Sequence, residues 1–342
     1  MRLDPHRPEA VELLLAGHVD VVLENFRPGV MTLLALGWEQ LAAPKPRLVM
    51  CSVSGYVEDG PWRDRRAYAA VVHAEMGLLE AGGGWRADAA GDGDARGHMA
   101  QDPMSHAYGY PGLHTSSAIL ATLLQRERTG RGQWVDVDVA EAMLYVDDFT
   151  HWDLSPVDPG EHRPSLAPPF SPIVTTGDGR AAVVAGDPAA PGVFEQYRVA
   201  MERPALCDDP RLPTPVPRAN RPALLALVEA WARGSPDALS FEARLNAAGI
   251  AKGAMGSPGD ASATEWTRAR SAIATVDGDR GRTLRIPEAP WGFSDGPTGV
   301  HGTPADRGEH NREVLAELLG LDDETLDRLV AEGVLSARLP RA

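Results

Sequence analysis

Apolar positions in the early part of the chain alternate between helix-like and strand-like spacing. Residues 8–18 read as an amphipathic helix, and Val21-Val22-Leu23 form a short apolar run that suits a buried strand. The turn Glu24-Asn25-Phe26-Arg27-Pro28-Gly29 leads into a predicted helix over 31–41. Pro44 and Pro46 follow it, and a second predicted strand over 47–53 is closed by Gly55. Strands that alternate with helices argue for a parallel α/β sheet.

Residues 80–104 carry many Gly, Asp and Ala and few apolar anchors, so they read as a long exposed loop, partly mobile. A helix is predicted over 113–128, with Ile119, Leu120, Leu123 and Leu124 on one face, Arg126 and Arg128 at its C-terminal end and Gly130 beyond. Val135, Val137 and Val139 alternate with Asp136 and Asp138, the pattern of a strand with one wet face. A helix over 140–149 is expected next. The stretch from Asp153 to Pro172 is proline-rich and reads as a linker. Ile173-Val174-Thr175-Thr176 and Ala181-Ala182-Val183-Val184 flank Gly177-Asp178-Gly179, a hairpin signal. Helices are predicted over 221–233 and 238–248, a strand over 283–286, and two tail helices over 311–319 and 322–332, with Gly333 just past the end. The expected organisation is a large Rossmann-like α/β domain from residues 1–155 and 268–342. A linker and a smaller α+β domain over 156–267 are inserted between them.

The 342 residues suffice for one large domain or two moderate ones. A net charge of -15 repels nucleic acid and anionic membrane surfaces, and a polyanionic ligand would need local basic groups. No apolar run approaches the roughly 20 residues that span a bilayer, and the opening residues have no apolar signal core, so a cytoplasmic protein is expected. The two cysteines, Cys51 and Cys207, form no CxxC pair, and Cys51 lies in an apolar run that reads as core. No His/Asp/Glu cluster has metal spacing, and no Gly-x-Ser-x-Gly elbow is present.

Four ordered segments carry a resemblance. They are Asp20 through Gly29; Pro46-Arg47-Leu48-Val49 through Gly55 with Asp59-Gly60-Pro61; Thr129-Gly130-Arg131-Gly132-Gln133-Trp134-Val135-Asp136-Val137; and Gly308 through Leu315 with Glu332-Gly333-Val334. In this order they resemble the family III CoA-transferases, the CaiB/BaiF group that includes formyl-CoA and carnitine CoA-transferases. The resemblance implies the Rossmann-like fold with an inserted domain and coenzyme A as a substrate, with no permanently bound cofactor. It also implies acyl-CoA and carboxylic acid partners, and a homodimer or a heterodimer with a homologue. A carboxylate nucleophile in this family passes through an acyl-enzyme anhydride and an enzyme–CoA thioester, which splits one transfer into covalent half-steps.

The turn after the first strand lies where open α/β sheets bind ligands. Asn25 can donate and accept, Phe26 can cover an adenine, and Gly29 lets the main chain come close. The helix starting near Val30 can offer N–H groups to phosphate. Arg27 belongs to the same segment, while Ser54 and Arg66 are candidates by position in the family. The residues alone also fit an ordinary strand-to-helix turn.

Three departures from the family stand out. The family's opening strand, helix and phosphate-facing loop precede the position of Leu3, so the sheet is expected to show an exposed edge. The family's nucleophilic aspartate falls at Tyr108, and a phenol, with an ordinary pKa of about 10, is a poor stand-in for a carboxylate. Asp102 and His106 are the nearby candidates for a replacement. The family often carries an acid after the tyrosine matched by Tyr68, where Ala69 and Ala70 follow here. Glu141 reads as a helix-start residue, His73 as core or surface, and His310 as ordering the start of the 311 helix. The expected function is CoA transfer with a degraded site; the alternatives are a non-catalytic subunit paired with an intact homologue, or an acyl-CoA racemase variant.

Overall fold

The computed structural model describes residues 3–7, 19–78, 106–146, 171–186, 188, 192–204, 206, 221–278, 282–300, 302 and 305–337. Contacts divide the chain into residues 1–159 with 304–342, and residues 160–303. The segment 268–303, expected with the large domain, groups in this division with the second unit. The predicted 8–18 helix, the 80–104 loop and most of the proline-rich linker lie outside the described residues.

The first unit begins with β1 (Val21–Glu24), α1 (Val30–Leu33), α2 (Trp38–Ala42), β2 (Val49–Ser54), α3 (Ala69–Glu75), α4 (His106–Thr129), β3 (Trp134–Asp138) and α5 (Val139–Leu144). The three strands pair in parallel in the order β1-β2-β3. β2 is central, and its Val49, Met50, Cys51 and Ser52 are all buried, the continuous run that a strand covered on both faces requires. Leu36, Leu41, Leu48 and Met50 form one core. Tyr56, Val72, Ala107, Ala140 and Met143 form another. Gly132 admits no side chain, because a Cβ there would collide with the Leu48 carbonyl oxygen. β1 has β2 as its one partner among the described residues, and Leu23 is 58% exposed.

Three expectations need correction here. The helix expected over 31–41 is two short helices, because Ala35 takes a positive φ of 56° and Gly37 is extended before α2. The break turns Leu36 and Leu41 onto the sheet and leaves Leu33 exposed. α4 starts at His106, well before the expected 113, and runs through Pro111. Its expected apolar face is also not its buried one: Leu120 and Leu124 are each 67% exposed, while Thr115 and Thr122 are buried. Apolar spacing marks a stripe, but the packing against β2 and β3 decides which stripe is covered. The strand with one wet face ends earlier than its alternation suggests. Asp138 is buried and its side chain caps α5, so Val139 is already helical.

In the second unit β4 (Ile173–Thr175), β5 (Ala181–Val184) and β6 (Lys252–Ala254) form an antiparallel sheet. The expected hairpin turn is present, with Gly179 at φ 80°. α6 (Val193–Ala200), α7 (Arg221–Gly234) and α8 (Ala238–Ala247) cover it, and Val174, Val184, Tyr197, Val228, Phe241 and Leu245 make its core. α9 (Pro258–Ser262), α10 (Glu265–Ala269) and the antiparallel pair β7 (Ile273–Asp277) and β8 (Thr283–Pro287) follow.

The tail returns to the first unit as α11 (Asn311–Leu319) and α12 (Asp323–Ala331). Leu315, Leu326, Leu329, Val334 and Leu335 pack with Leu3, whose main chain bridges Leu335. Asp322 caps α12, whereas His310 precedes α11 without a side-chain cap bond, contrary to its expected role. Among the described residues no helix is long and apolar enough to cross a membrane.

Candidate functional site

The C-terminal ends of β1, β2 and β3 bring polar side chains into register. Glu24 lies opposite Ser52, Ser52 opposite Asp136, and Ser54 opposite Asp138. Glu24 is buried and accepts the Phe26 N–H at 2.8 Å, which tightens the turn after β1. Asn25, Phe26 and Arg27 then stand exposed, as a ligand-facing turn requires. The Arg27 carbonyl accepts the Val30 N–H at 3.1 Å. Gly29 sits at φ 81°, a conformation that other residues adopt at a cost, and a Cβ there would crowd the Arg63 guanidinium.

The Gly29 N–H is already engaged. It donates to Glu58 Oε2 at 3.4 Å, and the Glu58 N–H in turn donates to Asp136 Oδ2 at 3.1 Å. Burial raises the Glu58 carboxyl above its ordinary range, and the Glu24 charge adds to the rise. Asp138 is also raised by burial, although main-chain N–H groups at the start of α5 partly offset this. A cavity of about 230 Å³ opens beside the turn, lined by residues that include Glu24, Arg27, Gly29, Trp38, Glu58 and Trp134. Of the predicted ligand residues it takes in Arg27 and Gly29, and not Asn25, Phe26, Val30, Ser54 or Arg66.

Ser54 is buried, and its hydroxyl has no hydrogen-bond partner among the described residues. Arg66 is exposed at the end of the loop that follows β2. That loop is held by a network: the Glu75 carboxylate takes bonds from both Tyr56 and Arg65, and the Arg65 guanidinium lies 4.3 Å from the Trp62 ring centre. Desolvation, then the bond to Glu75, pushes the Tyr56 phenol up to about 12. Burial does the same to the Cys51 thiol, raised to about 11, as befits a core cysteine.

The second group sits where α3 meets α4. Tyr108 is 58% exposed, and its phenol oxygen accepts the N–H of Ala69 at 3.4 Å. His73 is buried, and its Nε2 accepts the N–H of Ala107 at 3.0 Å. The His106 ring lies 6.1 Å from that of His73 and 5.7 Å from that of Tyr110. Asp102 lies outside the described residues. Glu141 is in the first turn of α5 with its N–H on Asp138, the helix-start role expected of it. Sequence reasoning missed Glu58, which stood in an undifferentiated loop, and the bonding role of His73. The signal that could have found it is a histidine set among the apolar Val71, Val72 and Ala74.

Residues 1–311 match CoA-transferase family III. The chain is 31% identical to a succinyl-CoA–D-citramalate CoA-transferase of Chloroflexus aurantiacus, over 97% of this chain and 81% of that protein. It is 29% identical, at the same coverage, to the beta subunit of a succinyl-CoA–L-malate CoA-transferase of that organism. A formyl-CoA:oxalate CoA-transferase of Streptomyces avermitilis is 30% identical over 92% of this chain and 78% of its own length. Among solved structures, a CaiB/BaiF family protein from Brucella suis superposes with a TM-score of 0.70 at 25% identity, covering 92% of this chain and 80% of that one. The Rv3272 protein of Mycobacterium tuberculosis shares the fold with a TM-score of 0.72 at 24% identity, over 92% and 81%.

Proposed function

This chain belongs to CoA-transferase family III, and from that premise we propose that it is a CoA-transferase whose own nucleophile position is degraded at Tyr108. CoA thioesters are the substrates of the family's enzymes. In the family's reaction a carboxylate attacks the thioester carbonyl carbon, the C–S bond breaks, and CoA leaves as a thiolate. The resulting mixed anhydride is attacked by that thiolate, which frees the first acid and leaves CoA as an enzyme thioester. The acceptor carboxylate attacks that thioester and expels the CoA thiolate. The thiolate then attacks the acceptor's acyl carbon in the new anhydride and releases the acceptor's CoA thioester and the enzyme carboxylate. Each step needs a group at the reacting place that is charged, close and able to leave.

The observation that carries the proposal is the setting of Tyr108. It presents a phenol oxygen that accepts the Ala69 main-chain N–H, at the position where the resemblance implies a nucleophilic aspartate. The neighbouring Ala69 and Ala70 supply no acid. CoA is assigned to the turn Asn25-Phe26-Arg27-Pro28-Gly29 with Val30, Ser54 and Arg66, supported by the exposure of Asn25 and Phe26 after a parallel strand.

The relative named as a beta subunit favours a second reading, in which the chain contributes structure or CoA affinity to a heterodimer with an intact homologue. A homodimer is the simpler assembly. One experiment tests the degraded site: incubate the pure protein with labelled acyl-CoA and seek a covalent adduct by intact mass and peptide mapping. No adduct on the wild-type chain is expected. Robust turnover without a partner would overturn the proposal and point to a relocated nucleophile such as Asp102 or His106.

A further inference from the structure

The starts of α3 and α4 hold one another by reciprocal bonds. Helix starts carry N–H groups that have no acceptor within their own helix, and side chains, water or ligands supply one. At the start of α3 the acceptor for the Ala69 N–H is the Tyr108 phenol oxygen, contributed by α4. Near the start of α4 the acceptor for the Ala107 N–H is His73 Nε2, contributed by α3. Each helix therefore caps the other, through bonds that cross 39 and 34 residues of sequence.

We infer that His73 is the positioning residue for position 108. Its imidazole accepts the N–H of the residue immediately before Tyr108, and it does so from a fully packed place. His73 is 2% exposed, between Val72 and Ala107, which are both wholly buried. An acceptor that rigid fixes the first turn of α4 against α3, and with it the direction in which residue 108 leaves the helix. The His106 ring, next to it in α4, is held at 6.1 Å from the same imidazole. Tyr108 itself is exposed, with one main-chain bond, so its place depends on the turn that carries it. The inference rests on reading position 108 as the reaction centre.

The test uses two substitutions. His73→Leu fills the site but removes the acceptor; His73→Gln keeps an amide oxygen that can accept the same N–H. Amide hydrogen exchange in the full chain reads the bond directly. His73→Leu should speed exchange at Ala107 about tenfold, and His73→Gln should hold it within about threefold of wild type, the scale of one hydrogen bond. Unchanged protection in α11 and α12 confirms that the fold survives. The second arm starts from Tyr108→Asp and follows labelled adduct formation with acyl-CoA. Adding His73→Leu should slow adduct formation about tenfold with CoA affinity unchanged, and His73→Gln should restore the rate. Equal exchange at Ala107 in wild type and His73→Leu overturns the inference, as do equal adduct rates with Leu and Gln. If Tyr108→Asp forms no adduct in any background, the reading of position 108 fails, and the exchange arm alone judges the bond that His73 makes.

Discussion

Glu58 Oε2 accepts the main-chain N–H of Gly29 at 3.4 Å, in the turn whose following helix start is expected to offer N–H groups to phosphate. The carboxylate supplies an anion of the protein's own to that turn. Burial and the nearby Glu24 charge raise it, so its ionised form is held at a cost. A ligand phosphate approaching Gly29 would meet both this charge and an N–H already in use.

Glu58→Gln should therefore tighten CoA binding by about 0.5–1 kcal/mol, the scale of a partly exposed charge interaction. Calorimetric titration of wild type and variant with CoA checks this. Weaker binding by the variant would mean that the carboxylate helps to shape the site.

The same group predicts a pH signature in stability. A carboxyl raised in the folded state binds its proton more tightly there than in the unfolded chain, so stability falls as pH rises from the ordinary carboxylate range through the folded value. Glu58→Gln removes that loss. Its stability relative to wild type should grow between mildly acidic and neutral pH in urea unfolding. A difference that does not vary with pH would assign the cost elsewhere.

Asn25→Ala should weaken CoA binding by about 1–2 kcal/mol, the loss of one hydrogen bond to a charged or buried partner. Asn25 is exposed in the turn and outside the neighbouring cavity, so its removal leaves the packing intact. Unaltered affinity would move CoA away from this turn.

Under the proposed reading of position 108, Tyr108→Asp should raise transfer activity or give a trappable acyl adduct, because it supplies a carboxylate there. It also removes the acceptor of the Ala69 N–H, because the shorter aspartate side chain does not reach as far as the phenol oxygen. If Asp102 or His106 has taken over, wild type is active, and Asp102→Asn or His106→Ala abolishes turnover.

Cys51 should resist alkylation in the folded protein. It is wholly buried and its thiol is raised to about 11, so little thiolate forms at neutral pH. Peptide mapping after iodoacetamide treatment should find Cys51 modified only when denaturant is present; labelling under native conditions would mean that the β2 core opens.

What the sequence by itself determined is local and periodic. The alternation of apolar runs specified a parallel sheet, because β2 carries a run that suits burial on both faces. Turn chemistry placed the β4–β5 hairpin around Gly179, and the spacing and end signals of the tail marked α11 and α12. The ordered motifs were enough to identify the family, and the tyrosine at position 108 is read directly from the chain. Tertiary structure alone decided which stripe of α4 is covered, since Leu120 and Leu124 look like core and are exposed while Thr115 and Thr122 are buried. It also made Asp138, the last residue of β3, the side-chain cap of α5. The bonds that shape the candidate site join Gly29 to Glu58, Ala107 to His73 and Ala69 to Tyr108, across 29, 34 and 39 residues. No periodicity spans such gaps, because which donor meets which acceptor depends on how helices and loops stack on the sheet rather than on neighbours along the chain.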